Sequence, residues 1–286
     1  MIFHKHKFKK QLQIKGYANS SIYSYIRRLE HYEQWCKLKQ NNKIESDKAL
    51  AYQYLKHLHK RTSNSRTLNR ELQPLKLYYK LCRKDNPFEF IYVKRRKEII
   101  KTNFFSKEEL EQIYDDYPQS SIYEIRDKVL LSFYIFQGVK SSEAKNIEIQ
   151  DLNLIGYKIL LRGDKRTNQR KIGLNIKQIL LLNEYLNSHR RKLLKRRKSN
   201  QLIIASNSNF AQQNLLQRVS AKLKKTVYGY EALSQLRASV VHQWTKEYDL
   251  RKAQYLSGHR YISTTEKFII KDLKELQKAV DDYFPF

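Results

Sequence analysis

The stretch "LSGHRYISTTEKF" (Leu256–Phe268) joins a Gly-His pair, two threonines and, nine residues beyond the histidine, a phenylalanine. Gly258 is the cheapest residue for the left-handed turn that ends a helix. The pattern therefore predicts a helix, a tight turn carrying His259, and a second helix. His259 read by itself is a helix cap, a buried structural histidine or a group of a functional site. Phe268, at helical spacing with Ile269 and Leu273, reads as core packing.

Upstream, residues 1 to about 90 read as all-helical. Gly16 closes a first helix. Ile22, Tyr25, Ile26, Leu29 and Tyr32 form the apolar face of a second. "SDKALAYQYLKHLHKR" follows with Ser46 or Asp47 as cap. "SNSRTLNRELQPLKLYYKLCRKDNPF" contains Pro74 and ends at "DNP". "YVKRRKEIIKTNFF" (Tyr92–Phe105) lacks helical periodicity and reads as a basic linker. Its Lys94, Arg95 and Arg96 form either a solvated charge run or a strap along a phosphate backbone. Beyond it, Ser106 and Glu109 make a capping box, and "SIYEIRDKVLLSFYIFQGV" is a strongly apolar helix ended by Gly138. A hairpin is predicted from Lys158–Leu161 and Arg170–Leu174, around the polar turn "RGDKRTNQR". A helix with a basic end, "IKQILLLNEYLNSHRRKLLKRRK", comes next. "QLIIAS" reads as a short strand or extended segment, and helical patterns run to the C-terminus with breaks at Gly229 and Ser257–Gly258.

The fold class expected is mainly α: a helical N-terminal domain (1–91), a basic linker (92–105), and a mixed α+β domain (106–286) with a small β-hairpin or sheet. The chain's 286 residues suffice for two cores. With 41% hydrophobic and 12% aromatic residues it is no disordered tail. No apolar run approaches the roughly 18 residues of a membrane span, and the basic start "MIFHKHKFKKQLQIKGY" has no apolar signal core. A cytoplasmic protein is expected. Cys36 and Cys82 lack partners at metal-ligand spacing, so neither a metal, a cofactor nor a disulfide is expected.

Lys and Arg number 57 against 28 Asp and Glu, a formal charge of +29. Such a surplus repels itself unless it meets a polyanion, and nucleic acid is the default one inside a cell. The basic residues are spread along the chain rather than gathered on one amphipathic helix, which disfavours a membrane surface.

The order of elements and several strings resemble the tyrosine recombinase (phage integrase) family. "KGYANSSIYSYIRRLEHYEQW" and "RTLNRELQPLKLYYKLCRKDNPF" resemble the start and the last helix of its N-terminal core-binding domain. "YIFQGVKSSEAKNIEIQDLNL" resembles the segment of its first catalytic arginine, "LSQLRAS" its His-x-x-Arg box, and "LSGHRYISTTEKF" its Gly-His box and nucleophile. In that family a tyrosine attacks a DNA phosphate. Arginines hold the equatorial oxygens, a hairpin lysine protonates the leaving oxygen, and histidines assist.

The resemblance places the first arginine at Lys140, which keeps a charge and loses the fork. It places the hairpin lysine at Lys165, with Arg166 as the alternative. The first histidine falls at Ser234, the second arginine at Arg237, the residue after it at Ala238, the Gly-His histidine at His259, and the nucleophile at Phe268. Phenylalanine has no oxygen to attack with. The expectation is a protein that clamps duplex DNA in recombination or integration, as on a mobile element, with Lys165, Arg237 and His259 as remnants of the catalytic set. Lys94, Arg95, Arg96, Lys140, Arg166 and Arg170 are the expected DNA contacts. A catalytically competent recombinase or further copies of the chain on DNA are the expected partners. Two alternatives stay open: an active recombinase using a displaced tyrosine, Tyr261 or Tyr283, and a helical basic RNA-binding or structural protein.

Overall fold

A computed structural model describes residues 4–39, 47–82, 85–94, 103–164, 167–195, 197–205 and 211–269. The chain divides into two compact units, 1–99 and 100–286.

The first unit holds four helices among its described residues: α1 (Lys5–Ile14), α2 (Asn19–Lys39), α3 (Asp47–Arg61) and α4 (Ser65–Cys82). Gly16 turns the chain out of α1 at φ +71°, where a side chain would be strained. The apolar face read on α2 points inward at Ile22, Leu29 and Tyr32. Tyr32 meets Tyr54 and Phe88 edge to face at 4.7 and 5.3 Å, a geometry that aligns ring edges with ring faces. Asn64 caps α4, its Oδ1 accepting the N–H groups of Arg66 and Thr67. Asn69 exchanges two hydrogen bonds with the backbone of Val93, so the start of the basic stretch is packed onto α4.

In the second unit α5 (Lys107–Asp115) begins with the Ser106/Glu109 capping box. Phe105, just before it, is buried and donates its N–H to Ser239 Oγ. The central helix is α6 (Ile122–Gln137), buried along nearly its whole length and packed by α5, by α8 (Ile176–Glu184) and by α11 (Leu233–Glu247). It is capped by Ser121 and ended by Gly138 at φ +52°. A Cβ on Gly138 would stand 3.2 Å from Val240 and 3.3 Å from Trp244, both on α11 (Leu233–Glu247), so the glycine also sets how closely α6 and α11 approach.

A short α7 (Ser141–Ala144) leads to an antiparallel sheet in the order β1 (Leu152–Asn153), β2 (Lys158–Leu161), β3 (Arg170–Gly173). Ile159 pairs with Ile172 and Leu161 with Arg170. Then come α8 (Ile176–Glu184), a π-helical turn (Tyr185–His189), α9 (Arg190–Leu194), α10 (Ala211–Thr226), α11, α12 (Leu250–Ser257) and α13 (Ile262–Glu266). The mainly α fold with a small sheet agrees with the sequence. In the described part of "QLIIAS", Gln201 bridges Glu148 and the Leu202 N–H donates to the Ile147 carbonyl at 2.9 Å, without a named strand. Among the described residues no helix is long and apolar enough to cross a membrane.

Candidate functional site

Three parts of the second unit converge on a cavity of about 600 Å³. It is lined by Lys140 ahead of α7, by Ser234, Arg237 and Ala238 on the first turns of α11, and by His259, Arg260, Tyr261, Thr264 and Phe268 around α13. The Gly-His turn is where the local sequence matters most. Gly258 adopts φ +66° and ends α12. A Cβ there would fall on Nη1 of Arg170 and stand 2.9 Å from its Cζ. The turn is also tied to the returning arm of the hairpin: Thr167 bridges His259, and the N–H of Asn168 donates to the Gly258 carbonyl at 2.9 Å.

Arg237 is buried, and its amino groups are committed inward. Nη1 donates to the Gly138 carbonyl. Nη2 donates to the Ser257 carbonyl at 2.7 Å and lies 3.2 Å from His259 Nε2. A guanidinium only donates, so Nε2 accepts, and the imidazole proton sits on Nδ1, which reaches Thr265 Oγ1 at 3.0 Å. His259 is thus a neutral histidine of defined tautomer. Burial draws its pKa down to about 3, helped by the positive charges of Arg237 and Lys140. Burial also lowers Arg237, to about 10, and it lowers Lys140, with Arg237 adding to the effect.

Behind the cavity stands a buried ion pair. Arg170 Nη1 and Nη2 donate to the two carboxylate oxygens of Glu143 at 2.6 and 3.0 Å, and Nε donates to the Leu256 carbonyl at 2.8 Å. Burial disfavours the Glu143 carboxylate, but the Arg170 hydrogen bonds and charge outweigh it and hold its pKa below the ordinary range. Glu143 Oε2 also accepts the Lys140 backbone N–H at 2.8 Å and lies 3.8 Å from Arg237 Nη1. One carboxylate thereby fixes the positions of three basic residues. Arg170, expected among the DNA contacts, is a correction: its side chain is wholly enclosed, and all three of its nitrogens are spent inside the protein.

The structure brings Lys140, Ser234, Arg237, His259 and Phe268 to one cavity. The Phe268 ring stacks on His259, 5.9 Å between centroids and 17° between planes. Its carbonyl is held by His242 Nδ1 at 2.8 Å, and the His242 ring stacks on Phe104 at 4.5 Å. Among the described residues no tyrosine hydroxyl is bonded to Lys140, Arg237 or His259. Tyr261 lines the cavity with its side chain largely exposed. Lys94 is exposed in the first unit. Arg95, Arg96, Lys165, Arg166 and Tyr283 lie outside the described residues.

Sequence reasoning missed Glu143, Thr265 and His242. Glu143 carried a signal: it stands three residues after Lys140 at the start of a helix, the spacing of a side chain that reaches back to its cap. Among the described residues no group of three or more His, Cys, Asp or Glu is placed to hold a metal ion. Chemically the cavity offers an ammonium and a rigid guanidinium beside a neutral imidazole. That set suits an oxyanion.

A mainly helical domain with a three-stranded sheet, a cationic cavity and a Gly-His turn defines the class that the sequence comparisons then specify. The chain belongs to the phage integrase family, which it matches over residues 103–274. It is 26% identical to the tyrosine recombinase XerC of Bacillus subtilis (strain 168), over 97% of this chain and 95% of that protein. It is 24% identical to the tyrosine recombinase XerD of Staphylococcus saprophyticus, over 95% and 94%. The fold is similar to the XerH site-specific recombinase bound to its difH substrate, with TM-score 0.66 and 17% identity over 99% of this chain and 86% of that one. It is likewise similar to the Tn1549 transposon integrase in complex with transposon right-end DNA, with TM-score 0.65 and 14% identity over the whole of both chains.

Proposed function

We propose that this chain holds duplex DNA during recombination or integration and does not itself cut it. The observation that carries this reading is Phe268. It lines the cavity of Arg237 and His259, with its ring on His259, at the position that the family resemblance gives to the nucleophile. A benzyl side chain has no oxygen to form a link to phosphorus. The formal charge of +29 supports a polyanionic ligand. So does the company of fold relatives solved on DNA, XerH with difH and the Tn1549 integrase with transposon DNA. Lys140 meets a backbone phosphate in this reading, with the buried charge of Arg237 behind it. Lys165 or Arg166 and the basic stretch at Lys94–Arg96 add phosphate contacts. Further copies of the chain, or a competent recombinase, share the DNA in the cytoplasm, where the substrate is a mobile element.

A second reading is favoured by one observation: Tyr261 lines the same cavity, so a displaced tyrosine could serve as nucleophile. Two measurements separate these readings. Titrating duplex binding against salt should give a steep log–log slope, about 0.9 per phosphate neutralised. A flat response discards DNA holding, and preferential competition by RNA points to an RNA-binding protein instead. Nicked suicide duplexes should trap no covalent adduct. A trapped adduct lost in Tyr261→Phe would establish the displaced nucleophile.

A further inference from the structure

A groove of about 260 Å³ opens in the second unit between α5 and the end of α10. It shares no residue with the cationic cavity. Phe105, Ile113, Tyr117 and Leu223, all buried, give it an apolar floor. Tyr228 also lines it and is fully exposed. The turn that carries Tyr228 is held from several sides. Gly229 follows at φ +73°. The buried Gln235 donates through Nε2 to the Gly229 carbonyl and to the Asn103 carbonyl, both at 2.9 Å. Tyr230 Oη donates to Ser220 Oγ at 3.0 Å. An aromatic side chain on a turn already fixed loses little freedom when something packs on it.

The rim of this groove carries the charge opposite to that of the chain. Glu109 and Asp116, near the two ends of α5, line it, and both are exposed. Neither is ion-paired among the described residues, whereas the other face of α5 is neutralised: Lys177 reaches Asp115 at 2.7 Å and Glu111 at 3.8 Å. Lys128, whose charge Asp115 and Asp116 both favour, is buried and donates to the Asp115 carbonyl at 3.2 Å. Asp116 accepts from the neutral Gln112 at 2.8 Å, and Glu109 accepts the Ser106 N–H at 2.6 Å. In a chain with 57 basic against 28 acidic residues, two carboxylates stand together over an apolar floor without a base.

We infer that this groove docks a cationic segment of another protein. An apolar or aromatic side chain enters between α5 and α10 beside Tyr228, and flanking lysines or arginines meet Glu109 and Asp116. Contacts of this kind concentrate their energy on a few aromatic and apolar anchors, and complementary charge at the rim selects the partner. Nucleic acid is the wrong occupant, because carboxylates repel phosphates. A second copy is disfavoured as well, since two chains of formal charge +29 repel one another as they approach. The chemistry of the groove is independent of the DNA-holding function proposed above.

The test uses the full chain and the fluorescence anisotropy of a short labelled peptide in which lysines flank a Leu-Phe pair. Its counterpart carries glutamates in place of the lysines. The lysine peptide should bind saturably, against the repulsion of the whole chain, and the glutamate peptide should not. Tyr228→Ala and Asp116→Lys, both at exposed positions, should each weaken the lysine peptide by about fivefold or more. Tyr228→Ala should hold duplex DNA as the parent does. Equal binding of the two peptides reduces the groove to an apolar surface and overturns the inference, as does unchanged binding by either variant. If the parent sediments as an oligomer that Tyr228→Ala dissolves, the occupant is a second copy. If Tyr228→Ala weakens duplex binding, the groove belongs to the DNA face. Either result also overturns the inference. A parent that binds no duplex DNA sinks the proposed function, and the peptides still judge the groove.

Discussion

The rings of Phe268 and His259 lie nearly parallel, 17° apart in plane and 5.9 Å between centroids. The imidazole nitrogens are already engaged, one with Arg237 and the other with Thr265. The histidine therefore presents a face, and not a proton, to residue 268. In the proposed reading an oxygen at that position would stand without the rest of the family's set, and groups that act as a unit fail together. Phe268→Tyr is expected to bind duplex DNA within about twofold of the parent, since it adds one hydroxyl to a half-buried ring. It should trap no covalent adduct on a nicked duplex. A strong adduct would show that Lys140 and Ser234 are not the substituted positions.

The neutral state of His259 makes stability depend on pH. Its folded-state pKa of about 3 lies below the ordinary 6.5. Between those values the unfolded chain binds a proton that the folded chain does not. The contribution is therefore full above pH 6.5 and is lost as pH falls towards 3, at up to about 1.4 kcal/mol per pH unit. Urea unfolding at pH 7 and pH 5 should show a steeper loss for the parent than for His259→Gln. Equal losses would mean that His259 takes up its proton in the folded state.

The Glu143–Arg170 pair is a buried charge pair with two parallel hydrogen bonds. Removing one partner strands the other, which costs about 3–5 kcal/mol, while replacing both by apolar groups costs much less. Denaturant unfolding should find Glu143→Gln strongly destabilised. The double variant Glu143→Met/Arg170→Met should be milder than either single change. Additive single effects would show that the two groups act separately.

Gly258→Ala combines a strained backbone at φ +66° with a methyl placed against the Arg170 guanidinium and 3.1 Å from the Asn168 carbonyl. Strain of about 1–3 kcal/mol and an overpacking cost of similar size are expected. The loss should be visible as a lowered urea midpoint, and the Arg170→Met background should relieve part of it. No relief in that background would place the clash elsewhere.

Much of the fold was legible because local chemistry set it. Ser106 and Glu109 announced a capping box, Gly138 and Gly258 announced helix ends, and the β-type runs announced the hairpin, all of which the structure contains. Arg170 was misread because a charged residue in a basic chain looks solvated. Its place in β3, alternating with exposed Lys171 and in step with buried Ile172, was the overlooked cue. Glu143 meets Arg170 across 27 residues and His242 meets the Phe268 carbonyl across 26, separations that no local pattern encodes; Thr265 lies only six residues from His259, but its role depends on how the Gly-His turn folds back. The π-helical turn at Tyr185–His189 was equally invisible. Tyr185 inserts its hydroxyl between the Leu202 carbonyl and the Ile204 N–H, a tertiary demand on an otherwise ordinary helix.

The inward commitments of Arg237 bear on how such chains are read from genomes. An arginine that fastens the ends of α6 and α12 is needed for folding whether or not any bond is ever broken. Selection for a folded protein alone is enough to keep it, together with the glycine and histidine beside it. A surviving signature of this kind testifies to architecture, and only the attacking group itself testifies to a working blade.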